Sequence, residues 1–305
     1  MVRYALVVAL LLGTGSAAAA ADLDSSYQAL KDAQAKKDPA EVKKAATEAY
    51  AAAQEVANEP TPQSTAAADQ DAWKKRVAYG KEVEEAAEYA LYATAIQAQP
   101  AEMVDLMATL EKQNPKSKYL DQGYATYLYA LAKTGAEAKV PTVVEAGLKN
   151  FPDNPDLLMV AANSALEHKQ NDRASAYAKR LIAAAGKRAK PEGVDAAEWE
   201  KQKAGFLGRG YWIAGMVSAQ KNLYVDADKN LRASLPYVKD DKSMEAGALF
   251  YLGVVNYQYG KMTLSKARLL EAAKFSDQCA QIEGPYQQQA WHNAQAMKTE
   301  AGTMR

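Results

Sequence analysis

Two histidines, His168 and His292, and one cysteine, Cys279, are the side chains of this 305-residue chain best suited to metal or nucleophilic chemistry. A metal site needs several ligands that converge, and in sequence they announce themselves as short Cys/His spacings. Neither histidine has a Cys, a second His or a paired carboxylate at such a spacing. Both read as surface or half-buried side chains. Cys279 has no partner for an intramolecular disulfide, so it is either buried on a helix or able to pair between chains. No nucleophile-elbow sequence surrounds a serine. No phosphate-cradling glycine loop appears: Gly205, Gly208 and Gly210 have neither a strand before them nor a Lys-Ser/Thr pair after them. Glu84, Glu85 and Glu88 form a charge run on a helical stretch and read as a solvated face. No constellation announces a reaction, and no metal or cofactor is implied.

The elements that carry these residues are helical. Hydrophobic residues make up 49% of the chain, enough for a sizeable core, and Ala dominates while Pro and Gly gather between apolar stretches. Lys plus Arg and Asp plus Glu both number 37, so no basic field exists to capture nucleic acid or an anionic membrane. Tyr outnumbers Phe, 18 to 4, which suits half-exposed helix faces where a ring is packed and its hydroxyl stays wet. Residues 1–21 read as a secretory signal: Arg3, an apolar run from Ala5 to Leu12, then small residues to Ala21. The mature chain is therefore expected in the periplasm or secreted, with no stable membrane insertion after cleavage.

Along the mature chain, residues 22–71 read as a helical pair followed by a Pro-containing linker. Asp38, Pro39 and Glu41 mark a helix start, and Asn58 to Asp71, with Pro60 and Pro62, marks a mobile connection. Ala72 to Gln97 reads as a long helix and Pro100 opens its partner. Leu120 to Asn150 and Asp156 to Ala184 read as two further pairs, separated by Phe151-Pro152-Asp153-Asn154-Pro155, in which Asn154 caps and Pro155 takes the first helical position. Residues 186–203 read as a polar insertion, and residues 285–305 as a capping helix.

A pattern recurs. Tyr211, Ala214, Gly215 and Ser218 precede Tyr224, Ala227, Leu231 and Ser234. Leu249, Leu252, Gly253 and Asn256 precede Met262, Ser265, Leu269 and Ala272 at the same internal spacing, 38 residues later. Leu128 and Ala162 lie 34 residues apart in equivalent places. Small residues at Gly215, Ala227, Gly253 and Ser265 fall where two antiparallel helices would cross. This pattern resembles the tetratricopeptide repeat (TPR), a helix–turn–helix unit of about 34 residues whose stacked copies complete one another's core. The resemblance implies an all-α fold, a right-handed superhelix of helical hairpins, with repeats over residues 72–284.

It also implies a concave groove lined by the first helix of each hairpin. Carried over position by position, that groove comprises Tyr129 and Lys133; Met159, Asn163 and Glu167; Arg209, Trp212, Met216 and Gln220; and Phe250, Tyr257 and Gln258. The alternative for Trp212 and Phe250 is a core position facing the next hairpin. The basic-and-amide clamp that some TPR domains use for a terminal carboxylate is not reproduced, since Met159 stands where a Lys is expected. The implied function is a non-catalytic interaction module for an extended segment of a partner protein. The alternatives are a helical-scaffold enzyme acting on a cell-envelope polymer and a self-assembling structural protein.

Overall fold

The computed structural model describes residues 22–190 and 194–303. The expected leader, residues 1–21, lies outside the described residues, as do Pro191 and Gly193 of the insertion. The described chain is all helical, with no strand. The helices are α1 (residues 22–36), α2 (Pro39–Ala57), α3 (Ala67–Ala95), α4 (Pro100–Gln113), α5 (Lys118–Lys133), α6 (Val140–Asn150, after a 3-10 turn at Glu137–Lys139), α7 (Pro155–Glu167), α8 (Asn171–Lys187), α9 (Ala196–Gln220), α10 (Tyr224–Val238), α11 (Lys242–Met262), α12 (Lys266–Ala280) and α13 (Gln287–Thr303).

Local chemistry sets most of these boundaries. Asp38 accepts from the amides of Ala40 at 2.8 Å and Glu41 at 3.1 Å, with Pro39 opening α2. Glu41 does not return a capping-box bond; its carboxylate pairs with Lys36 at 2.8 Å. Asn154 accepts from the Leu157 amide at 3.0 Å, which starts α7. Four hairpins close through one device: a left-handed residue, then an amide reaching back to the carbonyl five residues earlier. The left-handed residues are Gly135, Lys169, Asn222 and Leu264, with φ of 70°, 57°, 58° and 51°. The returning bonds are Ala136 to Leu131, Gln170 to Ala165, Leu223 to Ser218 and Ser265 to Gly260, at 2.8, 2.8, 2.9 and 2.8 Å. Gly135 and Lys169 lie 34 residues apart, whereas Lys169 and Asn222 lie 53 apart and Asn222 and Leu264 lie 42 apart.

Those unequal intervals correct two sequence expectations. The polar insertion at 186–203 is largely helix: α8 runs to Lys187, α9 begins at Ala196, and Trp199 in its first turns is buried. A buried indole repays the lengthening of α9 with apolar contact. The two matched copies also diverge after their first helix. α11 continues one turn further than α9 before it closes, so Ser265 caps α12, accepting from the Arg268 amide at 3.4 Å, and is not a crossing residue within it.

The chain forms two compact units, one ending at Phe151 and one beginning at Pro152. In the first, α3 packs on α2, α4 and α5. The segment after α2 is tied down: Arg76 forks onto Glu59 at 3.1 Å through both nitrogens, Trp73 Nε1 donates to Glu59 O at 3.1 Å, and Gln70 Nε2 to Ser64 O at 2.9 Å. It is therefore an ordered strap, and α3 starts inside the stretch expected to be loop. Glu88 corrects the reading of its charge run. It is buried, and its carboxylate accepts from Asn114 Nδ2 at 2.7 Å and Ser117 Oγ at 2.6 Å, fastening the turn between α4 and α5. Glu84 faces it and is pushed above the usual carboxylate range by burial first and by Glu88 second. Glu85 stays at the surface with Lys118.

In the second unit each helix packs on its sequence neighbours. In addition α7 touches α9, α9 touches α11, and α11 touches α13, whereas α8, α10 and α12 do not touch one another. The first helices of successive hairpins thus lie side by side. Leu158, Ile213 and Leu252 of these first helices, and Leu181, Leu231 and Leu269 of the second helices, are fully buried.

Candidate ligand-binding face

The adjacency of α7, α9 and α11 brings side chains from three hairpins together. Arg209, on α9, donates from Nε to Asn163 Oδ1 on α7 at 2.6 Å, and its guanidinium carbon lies 5.0 Å from the Trp212 ring. Burial draws the Arg209 pKa below its usual value; Asp241 and Glu167 oppose the fall by Coulomb attraction. The cation persists regardless, because Arg does not deprotonate in proteins. Trp212 Nε1 donates to Met244 O on α11 at 3.1 Å, and the start of α11 is fixed by Asp241, which accepts from the Met244 amide at 3.0 Å. The indole lies over Gly247, where a Cβ would sit 3.4 Å from it.

The face continues along α11 as an aromatic group. Phe250 stacks on Tyr286 with ring centroids 4.8 Å apart and meets Tyr251 edge-on at 5.5 Å. Further on, Tyr257 Oη donates to Glu300 Oε2 at 2.5 Å, and Lys261 pairs with the same carboxylate at 3.3 Å. The hydrogen bond to Glu300 raises the Tyr257 pKa, and reciprocally that bond holds the Glu300 carboxyl below its usual range.

The residues expected on the groove divide accordingly. Asn163, Arg209 and Trp212 meet directly, and Glu167 is close enough to act on Arg209 through its charge. Met159 is half-buried on α7; Gln220 and Gln258 are exposed on α9 and α11. Phe250 and Tyr257 are half-buried beneath the C-terminal segment, through Tyr286 and Glu300. Met216 requires correction. At 6% exposure it belongs to the core with Leu231, Leu249, Leu252 and Cys279. Its spacing of four from Trp212 does place both on one side of α9, but that side turns into the hairpin interface as the helix passes under α11. Tyr129 and Lys133 lie in the first unit, where Tyr129 is exposed and Lys133 Nζ stands 5.5 Å from its ring. Sequence reasoning missed Asp241 and Tyr286. Asp241 was readable as a helix N-cap, whereas nothing in the sequence aims Tyr286 at Phe250.

Of the other chemistry-bearing residues, Cys279 is absorbed into packing and both histidines are exposed. Cys279 is fully buried, donates to Ala246 O at 3.3 Å, and has its thiol pushed up to about 11 by burial. His168 Nδ1 lies 2.8 Å from Ser164 O one turn earlier, and His292 stands 4.9 Å from Trp291. Among the described residues no three of His, Cys, Asp and Glu group closely enough to hold a metal ion, and no helix is long and apolar enough to cross a membrane. No protein-family profile matches the chain, and neither a curated protein nor a solved structure is similar to it.

Proposed function

We propose that this chain is a TPR-like interaction module, exported to the periplasm or beyond the cell, that holds an extended segment of a partner protein. In this reading the hairpins of the second unit stack as a right-handed superhelix, and α7, α9 and α11 line its inner face. The observation that carries it is the Asn163–Arg209–Trp212 contact across two hairpins: a planar cation, fixed at Nε and stacked on an indole. Arg and Trp are the side chains that most often anchor interfaces, because they offer large rigid area at little entropic cost. In this reading the module acts by binding and not by catalysis.

Affinity capture from the source cell's envelope extract tests this reading, with the purified chain beside an Arg209→Ala/Met159→Ala variant and mass spectrometry of what each retains. A protein held by the wild type and lost by a variant of unchanged helicity supports the face. Identical retained sets would place binding elsewhere and defeat the proposal.

A further inference from the structure

The turn between α11 and α12 carries the two most exposed large hydrophobic side chains among the described residues, Met262 at 70% and Leu264 at 80%. Leu264 is also the residue held at φ 51°. The other three hairpin turns place Gly135, Lys169 and Asn222 at their left-handed position. Glycine and asparagine tolerate that backbone, and a lysine there keeps its charge in water. Leucine combines the cost of the left-handed backbone with that of leaving an apolar side chain in water. So exposed a side chain buries little area, so the fold gains little from it. A costly residue kept where Gly or Asn would serve the fold better points to a use outside the fold.

The turn is also placed to make contact. Successive helices of the second unit alternate in direction, so the α9–α10 and α11–α12 turns lie at one end of it. The longer α11 carries Met262 and Leu264 beyond the neighbouring turn, which adds exposed Leu223 and Val225. Lys221 beside these bridges to Asp172 on α8. The charged side chains of residues 261–266 are both lysines: Lys261, which pairs with Glu300 at 3.3 Å, and exposed Lys266. Four apolar side chains on two stepped turns fall far short of the roughly 20–30 residues a side of a stable protein interface. A lipid surface needs no matching pocket. Protruding apolar side chains enter it singly, while neighbouring lysines stay at the level of the phosphates. We infer that this end of the second unit docks on a lipid surface, with Met262 and Leu264 inserted to the boundary of headgroups and acyl chains, Leu223 and Val225 behind them, and Lys261 and Lys266 toward the phosphates. The contact is peripheral and reversible. Among the described residues no helix is long and apolar enough to cross a membrane, and with 37 basic and 37 acidic residues no net charge draws the chain in from a distance.

The test is vesicle flotation with the mature chain, residues 22–305, so that the expected leader contributes nothing. The vesicles are phosphatidylcholine alone or phosphatidylcholine mixed with phosphatidylglycerol. The wild type should float with the mixed vesicles. Met262→Ser/Leu264→Gly should lose on the order of tenfold or more of that binding, because both apolar tips are gone. The same variant should melt no lower than the wild type, which separates lost contact from lost fold. Arg209→Ala/Met159→Ala should float like the wild type, since the inner face takes no part. Omitting phosphatidylglycerol should weaken binding several-fold, the contribution of lysines at the surface. An NBD fluorophore on Leu264→Cys should brighten and shift to the blue with vesicles, whereas one on Asp240→Cys, in the turn at the opposite end of the unit, should not; Cys279 is fully buried and takes no label. No flotation, flotation unchanged in Met262→Ser/Leu264→Gly, or an equal response at Asp240→Cys would each overturn the assignment. A protein retained by the wild type and lost by Met262→Ser/Leu264→Gly, with no flotation of either, would give the turn to a protein partner and overturn it as well.

Discussion

Two glycines of one helix should respond in opposite directions to the same substitution. Gly205 and Gly215 both lie within α9. Ala is favoured over Gly in a helix interior by about 1 kcal/mol, mostly through the unfolded chain's entropy. At Gly205 a Cβ meets nothing within 4 Å, so Gly205→Ala should realise roughly 0.5–1 kcal/mol of stabilisation. At Gly215 the new Cβ would sit 2.6 Å from Leu231 Cγ, 2.8 Å from its Cδ2 and 3.0 Å from its amide nitrogen. Leu231 is fully buried in α10 and has nowhere to withdraw. Overpacking of that kind costs roughly 1–3 kcal/mol, which outweighs the helical gain. The two variants should therefore differ by about 2 kcal/mol. For a unit the size of the second one, that is roughly 4–8 °C between their midpoints. Differential scanning calorimetry of the full chain reads it, following the transition that Gly205→Ala raises. If Gly215→Ala melts with or above the wild type, the close approach of α9 and α10 at Leu231 is wrong, and with it the reason for a glycine there.

Three further outcomes follow from the geometry. Glu88→Gln puts an amide donor where Asn114 and Ser117 both donate, so urea unfolding should show a loss of about 1.5–3 kcal/mol; a loss under half of that would mean the buried carboxylate is dispensable. Glu111 is pushed above the usual carboxylate range by burial. Its protonated form is thus the better tolerated one, and its contribution to stability is fully present below its unfolded pKa and lost as pH rises through the raised folded value. Glu111→Gln should accordingly stabilise the chain at neutral pH, with the advantage shrinking as pH falls into the carboxylate range; a pH-independent difference in melting temperature would contradict this. Leu264 holds a left-handed conformation at 80% exposure, so Leu264→Gly should raise stability by about 1 kcal/mol in the same urea assay, and a loss would show that the side chain is engaged.

Much of the helical architecture was legible because its signals are local. Asp38, Asn154 and the Pro residues that follow each of them announce helix starts through backbone chemistry confined to one turn. The period of 34 between Gly135 and Lys169 likewise reflects one hairpin closing and the next beginning. What misled was the assumption that equal spacing implies equal geometry. Gly215 and Gly253 each precede a small residue by 12 positions, yet Ala227 lies inside α10 and Ser265 caps α12. The extra turn of α11 depends on packing that no local pattern records. Glu88 was misread for a related reason: polarity alone cannot separate a solvated acid from one that Asn114 and Ser117, distant in sequence, come to satisfy.

The sequence by itself determined that this chain is helical and where most helices start, because both rest on interactions within a few residues. Only the tertiary structure decided which side chains of those helices face one another. It set Arg209 against Asn163 and Trp212, moved Met216 into the core, and laid Tyr286 over Phe250. Those outcomes depend on the rotation and stagger of helices packed 8–10 Å apart. A shift of one residue, 100° about the axis, would exchange a buried face for an exposed one.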